Sequence, residues 1–320
     1  MQYMKSFTVT QNDAGKGLDR FLDKNVPNLP SSLMYKYIRT KRIKINGKRA
    51  QNASRLNAND VVDLYINDEF LVRPEPRYDF LGAPSRLNIV FEDENIMLLD
   101  KKPGLLCHPD DREYVDTLIG RIKKYLYEKG EYDPSAENIF TPSLCNRIDR
   151  NTGGIVIAAK NAAALSCMNS IIKTRQLHKY YLCAAVGKMP ADHDILEGHL
   201  LKNEDKNKVY IYDSPREGTK PIKTAYKVIA CKNGLSLCEV ELLTGRTHQI
   251  RAQFAYIGHP LLGDGKYGKE AVNKQYGYSK QCLYSYKLVF DINEDDCLLS
   301  YLDGRAFEVH DIQFLSEFEN

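Results

Sequence analysis

The stretch Asn146-Arg147-Ile148-Asp149-Arg150-Asn151-Thr152-Gly153-Gly154 runs directly into Ile155-Val156-Ile157-Ala158-Ala159-Lys160. An aspartate between two arginines, a Gly-Gly turn and a short apolar run describe a loop that feeds a buried strand at Gly154–Ala159. Cations beside a carboxylate suit a nucleophile or a base. Glycines just after it let a ligand approach the backbone closely. On chemistry alone, an aspartate-initiated turn beside a structural salt bridge accounts for the same residues.

Outward from this segment, strands and helices alternate without a regular βαβ period. Asn88–Phe91 and Asn95–Asp100 resemble a hairpin, and Pro103-Gly104 marks a turn. Val115–Lys129 has helical apolar spacing at Leu118, Ile122 and Leu126, with Gly130 as its stop. A second helix is expected at Asn161–Gln176. Strands follow at about 179–186, 222–230 and 235–243, the last two joined by Lys232-Asn233-Gly234. A short helix at His248–Ile257 ends at Gly258, and late strands are expected at 282–290 and 306–311. This irregular order predicts an α+β fold on a mixed, largely antiparallel sheet with flanking helices.

The first 70 residues form a separate small α+β module. Leu18, Phe21 and Leu22 have helical spacing, and Ser31 or Ser32 can cap a second helix through Leu33, Tyr37 and Ile38. Arg42–Ala50 is a hairpin around Asn46-Gly47, and Asp60–Ile66 is another strand. Residues 71–86 carry three prolines in sixteen positions and read as a linker, leaving 87–320 as the second domain. Net charge is only +3, but the segment 33–55 holds eight Lys/Arg and no acid, balanced elsewhere by runs such as Asn293-Glu294-Asp295-Asp296. One sign of charge concentrated on a nearly neutral chain is an electrostatic footprint for phosphates. Lys36, Arg39, Lys41, Arg42, Lys44, Lys48 and Arg49 would present it from a helix and a hairpin; a solvated basic face is the bland alternative.

Three further segments matter. Lys179-Tyr180-Tyr181-Leu182 leads into Val186-Gly187. Leu243-Thr244-Gly245-Arg246-Thr247-His248-Gln249-Ile250-Arg251 enters the short helix, on which Ile250, Phe254 and Ile257 form an apolar face while His248, Arg251 and Ala255 share another. Gly258-His259-Pro260-Leu261-Leu262-Gly263-Asp264 with Tyr267-Gly268 follows. Together with the Asp149 segment, and more weakly Lys102-Pro103-Gly104, these resemble in order and spacing the motifs of RluA-type pseudouridine synthases, whose signature reads H-R-L-D-x-x-T-S-G. Residues 15–66 resemble the S4 RNA-binding domain.

The resemblance implies that Asp149 is the catalytic nucleophile, that Tyr181 contacts the target base and that Arg251 pairs with Asp149. Arg147 would take a phosphate of the flipped nucleotide. His248 has a plain reading as a structural histidine. Asn146 stands where the family has histidine and Gly153 where it has serine; both replacements bear on substrate positioning rather than on the aspartate. The implied activity is isomerisation of uridine in structured RNA, with large-subunit ribosomal RNA as the expected target and transfer RNA as the alternative. A non-catalytic RNA-binding or ribosome assembly factor is the competing class. A hydrolytic glycosidase would want a second carboxylate in the motif.

Gly263–Glu270 is one residue short of a phosphate-binding loop, because Glu270 stands where Ser or Thr must meet magnesium. The seven histidines show no metal spacing, so neither metal nor cofactor is expected. No run is apolar enough to span a bilayer and no signal peptide is evident, so a cytoplasmic monomer without membrane attachment is expected. The eight cysteines form no CxxC pair and are expected to be buried free thiols.

Overall fold

In the computed structural model, which describes residues 3–71, 78–136, 140–204, 207–293 and 297–319, the chain divides into two compact units. The smaller comprises residues 1–78 and 129–141, the larger residues 79–128 and 142–320. These limits differ from the expected division at 70 and 86. Residues 72–77, the centre of the expected linker, lie outside the described residues, as does the acidic run at 294–296. Asp79–Gly82 forms a 3-10 turn whose Phe80 is buried edge-on against Tyr127, ring centroids 5.8 Å apart. Ala83 is buried as well. Proline content marked this stretch as a linker, but its apolar side chains found a helix to pack on.

The smaller unit contains β1 (Tyr3–Thr8), α1 (Leu18–Asn25), α2 (Ser31–Arg39), β2 (Ile43–Ile45), β3 (Lys48–Arg49), β4 (Val61–Ile66) and α3 (Asp68–Leu71). Its antiparallel sheet has the order β1-β4-β2-β3. The period of two in β4 sends Val62, Leu64 and Ile66 inward, where they meet Leu18, Phe21 and Leu22 of α1 and Met34, Tyr37 and Ile38 of α2. Each such side chain contributes about 1.5–3 kcal/mol on burial. Asn46 and Gly47 both have positive φ, 50° and 73°, as a two-residue hairpin turn between β2 and β3 requires.

The larger unit runs β5 (Ile89–Glu92), β6 (Ile96–Lys101), α4 (Leu118–Glu128), β7 (Ser143–Leu144), β8 (Gly153–Ala159), α5 (Ala162–Lys173), β9 (Leu177–Val186), β10 (His193–Asn203) and β11 (Lys208–Tyr212). It continues with β12 (Lys220–Lys232), β13 (Leu235–Glu241), α6 (Gln249–Tyr256), α7 (Glu270–Gln275), β14 (Leu283–Phe290) and β15 (Ala306–Glu308). The sheet follows the order β11-β10-β12-β13-β9-β14-β8-β6-β5, with β15 on β14 and β7 on β8. Among the described strands every pairing is antiparallel except β14 with β8, which is the mixed, mostly antiparallel sheet expected.

All seven residues of β8 are buried, because β14 and β6 flank it and α5 covers one face through Ala164, Met168 and Ile171. Asn161 caps α5, its side chain accepting from the Ala164 backbone N–H at 2.8 Å. On β9 the faces alternate. Tyr181, Cys183 and Ala185 share a cluster with Ile250 and Phe254 of α6, whereas Leu182 and Ala184 pack with Tyr284 and Phe314. One cysteine expectation is corrected: Cys167 and Cys297 are joined in a disulfide, their Cα atoms 6.1 Å apart. Both border the apolar cluster around α5, a proximity that a separation of 130 positions conceals in the sequence.

Candidate active site

Asp149 opens the tight turn that leads into β8, its carbonyl accepting from the Thr152 N–H at 3.1 Å. The loop before the turn is held at several points. Lys101, at the end of β6 and fully buried, donates from Nζ to the carbonyls of Leu105 (2.8 Å) and Arg150 (3.0 Å). The Gly104 N–H reaches the same Arg150 carbonyl at 2.8 Å, and Cys107 Sγ donates to the Ile148 carbonyl at 3.4 Å. Burial lowers the Lys101 ammonium to about 8, against the pull of nearby Cys107, Asp149 and Asp100.

Both departures from the family signature have a local cause. Asn146 Oδ1 accepts from the Ile157 N–H at 2.8 Å, tying the loop to β8. A Cβ on Gly153 would stand 2.2 Å from the Tyr284 ring, so glycine here makes room for that tyrosine, whose hydroxyl donates to Asp100 at 2.6 Å. Gly154 has φ of 114° and lies so close to the Ser285 backbone that a side chain would collide with it.

The partner of Asp149 arrives from 102 positions downstream. Arg251 on α6 donates from Nη1 to Asp149 Oδ2 at 2.7 Å. Its other edge forms a bidentate pair with Asp264, Nε to Oδ2 at 2.7 Å and Nη2 to Oδ1 at 2.9 Å. Burial opposes the charge on Arg251, but the two carboxylates outweigh it and hold the guanidinium well above its ordinary value. Burial likewise opposes ionisation of Asp264. Arg251 and the backbone N–H groups of Lys266 and Tyr267, at 2.8 and 3.0 Å, reverse that and hold the carboxyl below its usual range. Asp264 is wholly buried while the Asp149 side chain keeps 26% of its surface, so the chain of charges ends on the one carboxylate that a ligand can reach.

His248 precedes α6 in the left-handed region, φ 54°. Its Nδ1 lies 3.0 Å from the Tyr267 hydroxyl, which itself accepts from the Val209 N–H at 2.9 Å. The hydroxyl proton is therefore free to go to Nδ1, leaving an N–H on Nε2, which stands 3.8 Å from Asp149 Oδ2. Burial lowers His248 to about 4 despite Asp149 nearby, so it is neutral at physiological pH. Tyr267 also lies under Arg251, the guanidinium carbon 5.3 Å from its ring centroid.

Tyr181 shares its apolar cluster with Ile148, next to Asp149, and faces Ser285 across the β9–β14 pairing. Burial, with Asp149 adding to it, pushes its hydroxyl up to about 12. Tyr180 points to the opposite side, 5.9 Å from the Lys287 ammonium. Arg147 is exposed; burial, with Arg147 and Lys123 adding to it, keeps His108 below the ordinary imidazole value. The structure thus brings Asp149, Arg251 and Tyr181 into one neighbourhood with Arg147 at its exposed margin. The basic residues of α2, β2 and β3 belong to the smaller unit. There Lys36, Arg39, Lys41, Lys48 and Arg49 are exposed with no ion pair among the described residues. Arg42 and Lys44 instead lie over the rings of Tyr37 and Tyr65, at 5.3 and 5.0 Å. Sequence reasoning quoted Asp264 without giving it a role, and passed over Lys101. A charged residue inside a glycine-rich loop, and a lysine ending an apolar strand, were the available signals.

A family model described as RNA pseudouridylate synthase matches residues 95–256, which hold Asp149, Tyr181 and Arg251. A protein of Mycoplasma capricolum named as an uncharacterized RNA pseudouridine synthase is 33% identical over 85% of this chain and 88% of its own. The ribosomal large subunit pseudouridine synthase C of Haemophilus ducreyi is 29% identical over 89% of this chain and 87% of its own. In fold, the chain is similar to the solved human RNA Pseudouridylate Synthase Domain Containing 4, with a TM-score of 0.56 at 17% identity over 72% of this chain and 90% of that one. The human Domain Containing 1 protein gives a TM-score of 0.53 at 21% identity over 77% and 97%. With its motifs in order and a model of the family covering half its length, this chain belongs to the RNA pseudouridylate synthases.

Proposed function

We propose that this enzyme converts uridine to pseudouridine in large-subunit ribosomal RNA, with Asp149 as the reacting group. The observation that carries the reading is the partly exposed Asp149 carboxylate held 2.7 Å from a guanidinium that is itself clamped by buried Asp264. The reaction breaks the N1–C1′ bond, turns the uracil and rejoins it through C5, with no net redox change. Two routes are open to the Asp149 carboxylate: attack on the substrate, or removal of a sugar proton. Arg251 keeps it aimed in either route. To reach it, the uridine must leave the RNA stack; Tyr181 offers the base an aromatic face and Arg147 offers its phosphate a cation.

The smaller unit would supply the address. Its exposed basic helix and hairpin suit an S4-type RNA-binding module whose contacts position the enzyme on phosphates. The target class rests on the names of relatives such as that of Haemophilus ducreyi. Mapping pseudouridines in total RNA with and without the gene tests it. Loss of one or more sites in large-subunit ribosomal RNA is expected; loss confined to transfer RNA would overturn the target while leaving the chemistry intact.

A further inference from the structure

Beside the loop that carries Asp149 lies a cavity of about 470 Å³ that the Asp149–Arg251 centre does not use. Its size falls within the roughly 300–1,000 Å³ of small-ligand pockets. Half-buried Leu87, Leu105 and Leu106 contribute apolar wall, and Arg86, Arg121 and Arg150 contribute guanidinium groups. These three differ in how they are held. Arg121 is locked by a bidentate pair with Asp116, 2.6 and 3.0 Å, and donates to the Arg86 carbonyl at 3.2 Å. Arg150 uses only Nε, on the Gly104 carbonyl at 3.1 Å. The guanidinium of exposed Arg86 has no hydrogen bond or ion pair among the described residues.

The acidic residues of the wall are already engaged. Asp116 holds Arg121, Glu113 accepts from the backbone of Val115 and Asp116, and Asp100 is shared by Tyr284 and Lys102. The free guanidinium of Arg86 and that of Arg150, engaged only at Nε, beside lining leucines match one ligand chemistry: a planar base on an apolar wall with its phosphate on arginine. Arg150 follows Asp149 directly, and Lys101 and Gly104 both grip the Arg150 carbonyl, so the cavity and the reacting carboxylate share one short, fixed loop.

We propose that this cavity takes a second unstacked nucleotide of the substrate RNA, close in the strand to the target uridine. The proposal rests on the pseudouridine synthase reading, and the test separates the two. The probe is an RNA hairpin carrying the mapped uridine, made intact and with a single abasic site at each flanking position in turn. Turnover of the intact hairpin by the unaltered enzyme tests the chemistry by itself. For the cavity, one abasic position outside the target is expected to raise KM about fivefold or more, the loss of one base's burial against the apolar wall. Asn88→Trp, which fills the cavity from an exposed position without changing charge, is expected to raise KM on intact RNA by a similar factor and to make that abasic site silent. Arg86→Gln, a surface change that leaves the core alone, is expected to weaken RNA binding and to flatten the salt slope by about 0.7–0.9. If no abasic position matters, if its effect persists unchanged in Asn88→Trp, or if Arg86→Gln binds with unaltered affinity and slope, the assignment is wrong.

Discussion

The Asp149 centre and the basic face of the smaller unit are both made of charged side chains, yet burial separates their physics. At Asp149 the guanidinium of Arg251 is nearly enclosed and Asp264 is wholly so, and each hydrogen bond has a defined length and direction. Removing one member there strands another in a low-dielectric setting. Lys36, Arg39, Lys41, Lys48 and Arg49 stand in water with no ion pair among the described residues, so each should act weakly, independently and in proportion to salt. On the proposed function, the first arrangement suits a reacting centre, whose groups cannot be spared, and the second an electrostatic address, which can be spread over many.

Short of removing Asp149 itself, the largest effect is expected from Arg251→Met. Turnover should fall at least about a hundredfold. Because Asp264 would keep a buried charge without its cation, stability should also fall by about 3–5 kcal/mol in urea unfolding. A variant as stable and active as the parent would break the contrast at its buried end.

Tyr181→Leu comes next. It removes the aromatic face and hydroxyl beside Ile148 and should cut turnover by roughly 5- to 150-fold while RNA affinity changes little. Tyr180→Leu, on the opposite face of β9, should stay near the parent rate, and the reverse outcome would put the wrong tyrosine at the base.

A pH effect sharpens the same contrast. His248 titrates near 6.5 when unfolded and near 4 in the fold, where burial disfavours its charge. Between those values the unfolded chain binds a proton that the native chain does not, so stability is full above about 6.5 and declines as pH falls toward 4. In His248→Gln the midpoint of urea unfolding should drop less across that window. Equal slopes in both proteins would mean that His248 is not the buried neutral group described.

The smallest effect belongs to the basic face. Arg42 is half-buried over Tyr37 and Lys41 has φ of 64°, so exposed Lys36 and Lys48 make the cleaner pair of substitutions. Lys36→Ala with Lys48→Ala should weaken RNA binding several-fold and flatten the salt slope by about 0.7–0.9 for each phosphate no longer neutralised. Affinity and slope equal to the parent would reduce this face to a solvated surface.

The division between what the sequence disclosed and what it withheld follows the same line. The Asn46-Gly47 and Asn233-Gly234 turns, the amphipathic α4 and the all-apolar β8 were legible because local residues determine them. Asp149 and Arg251 were legible only through motif order, since the two groups that meet at 2.7 Å lie 102 positions apart. The role of Asp264, the burial of Lys101 and the Cys167–Cys297 bridge were not, because each depends on which distant element packs alongside. The β10–β11 ribbon escaped for a different reason. Gly198 and several charged residues break the apolar alternation of β10, and the few apolar residues of the ribbon, Leu200, Val209 and Ile211, are buried only through a small cluster with distant Ile222 and Ala252.

The most direct measurement is a single-turnover assay with enzyme in excess over a uridine-containing RNA, run on Asp149→Asn beside Lys36→Ala with Lys48→Ala. With binding saturated, the basic-face variant should form pseudouridine at close to the parent rate. Asp149→Asn, nearly isosteric and still able to bind RNA, should form none. Pseudouridine from Asp149→Asn at a rate comparable with the parent would contradict the account at its centre.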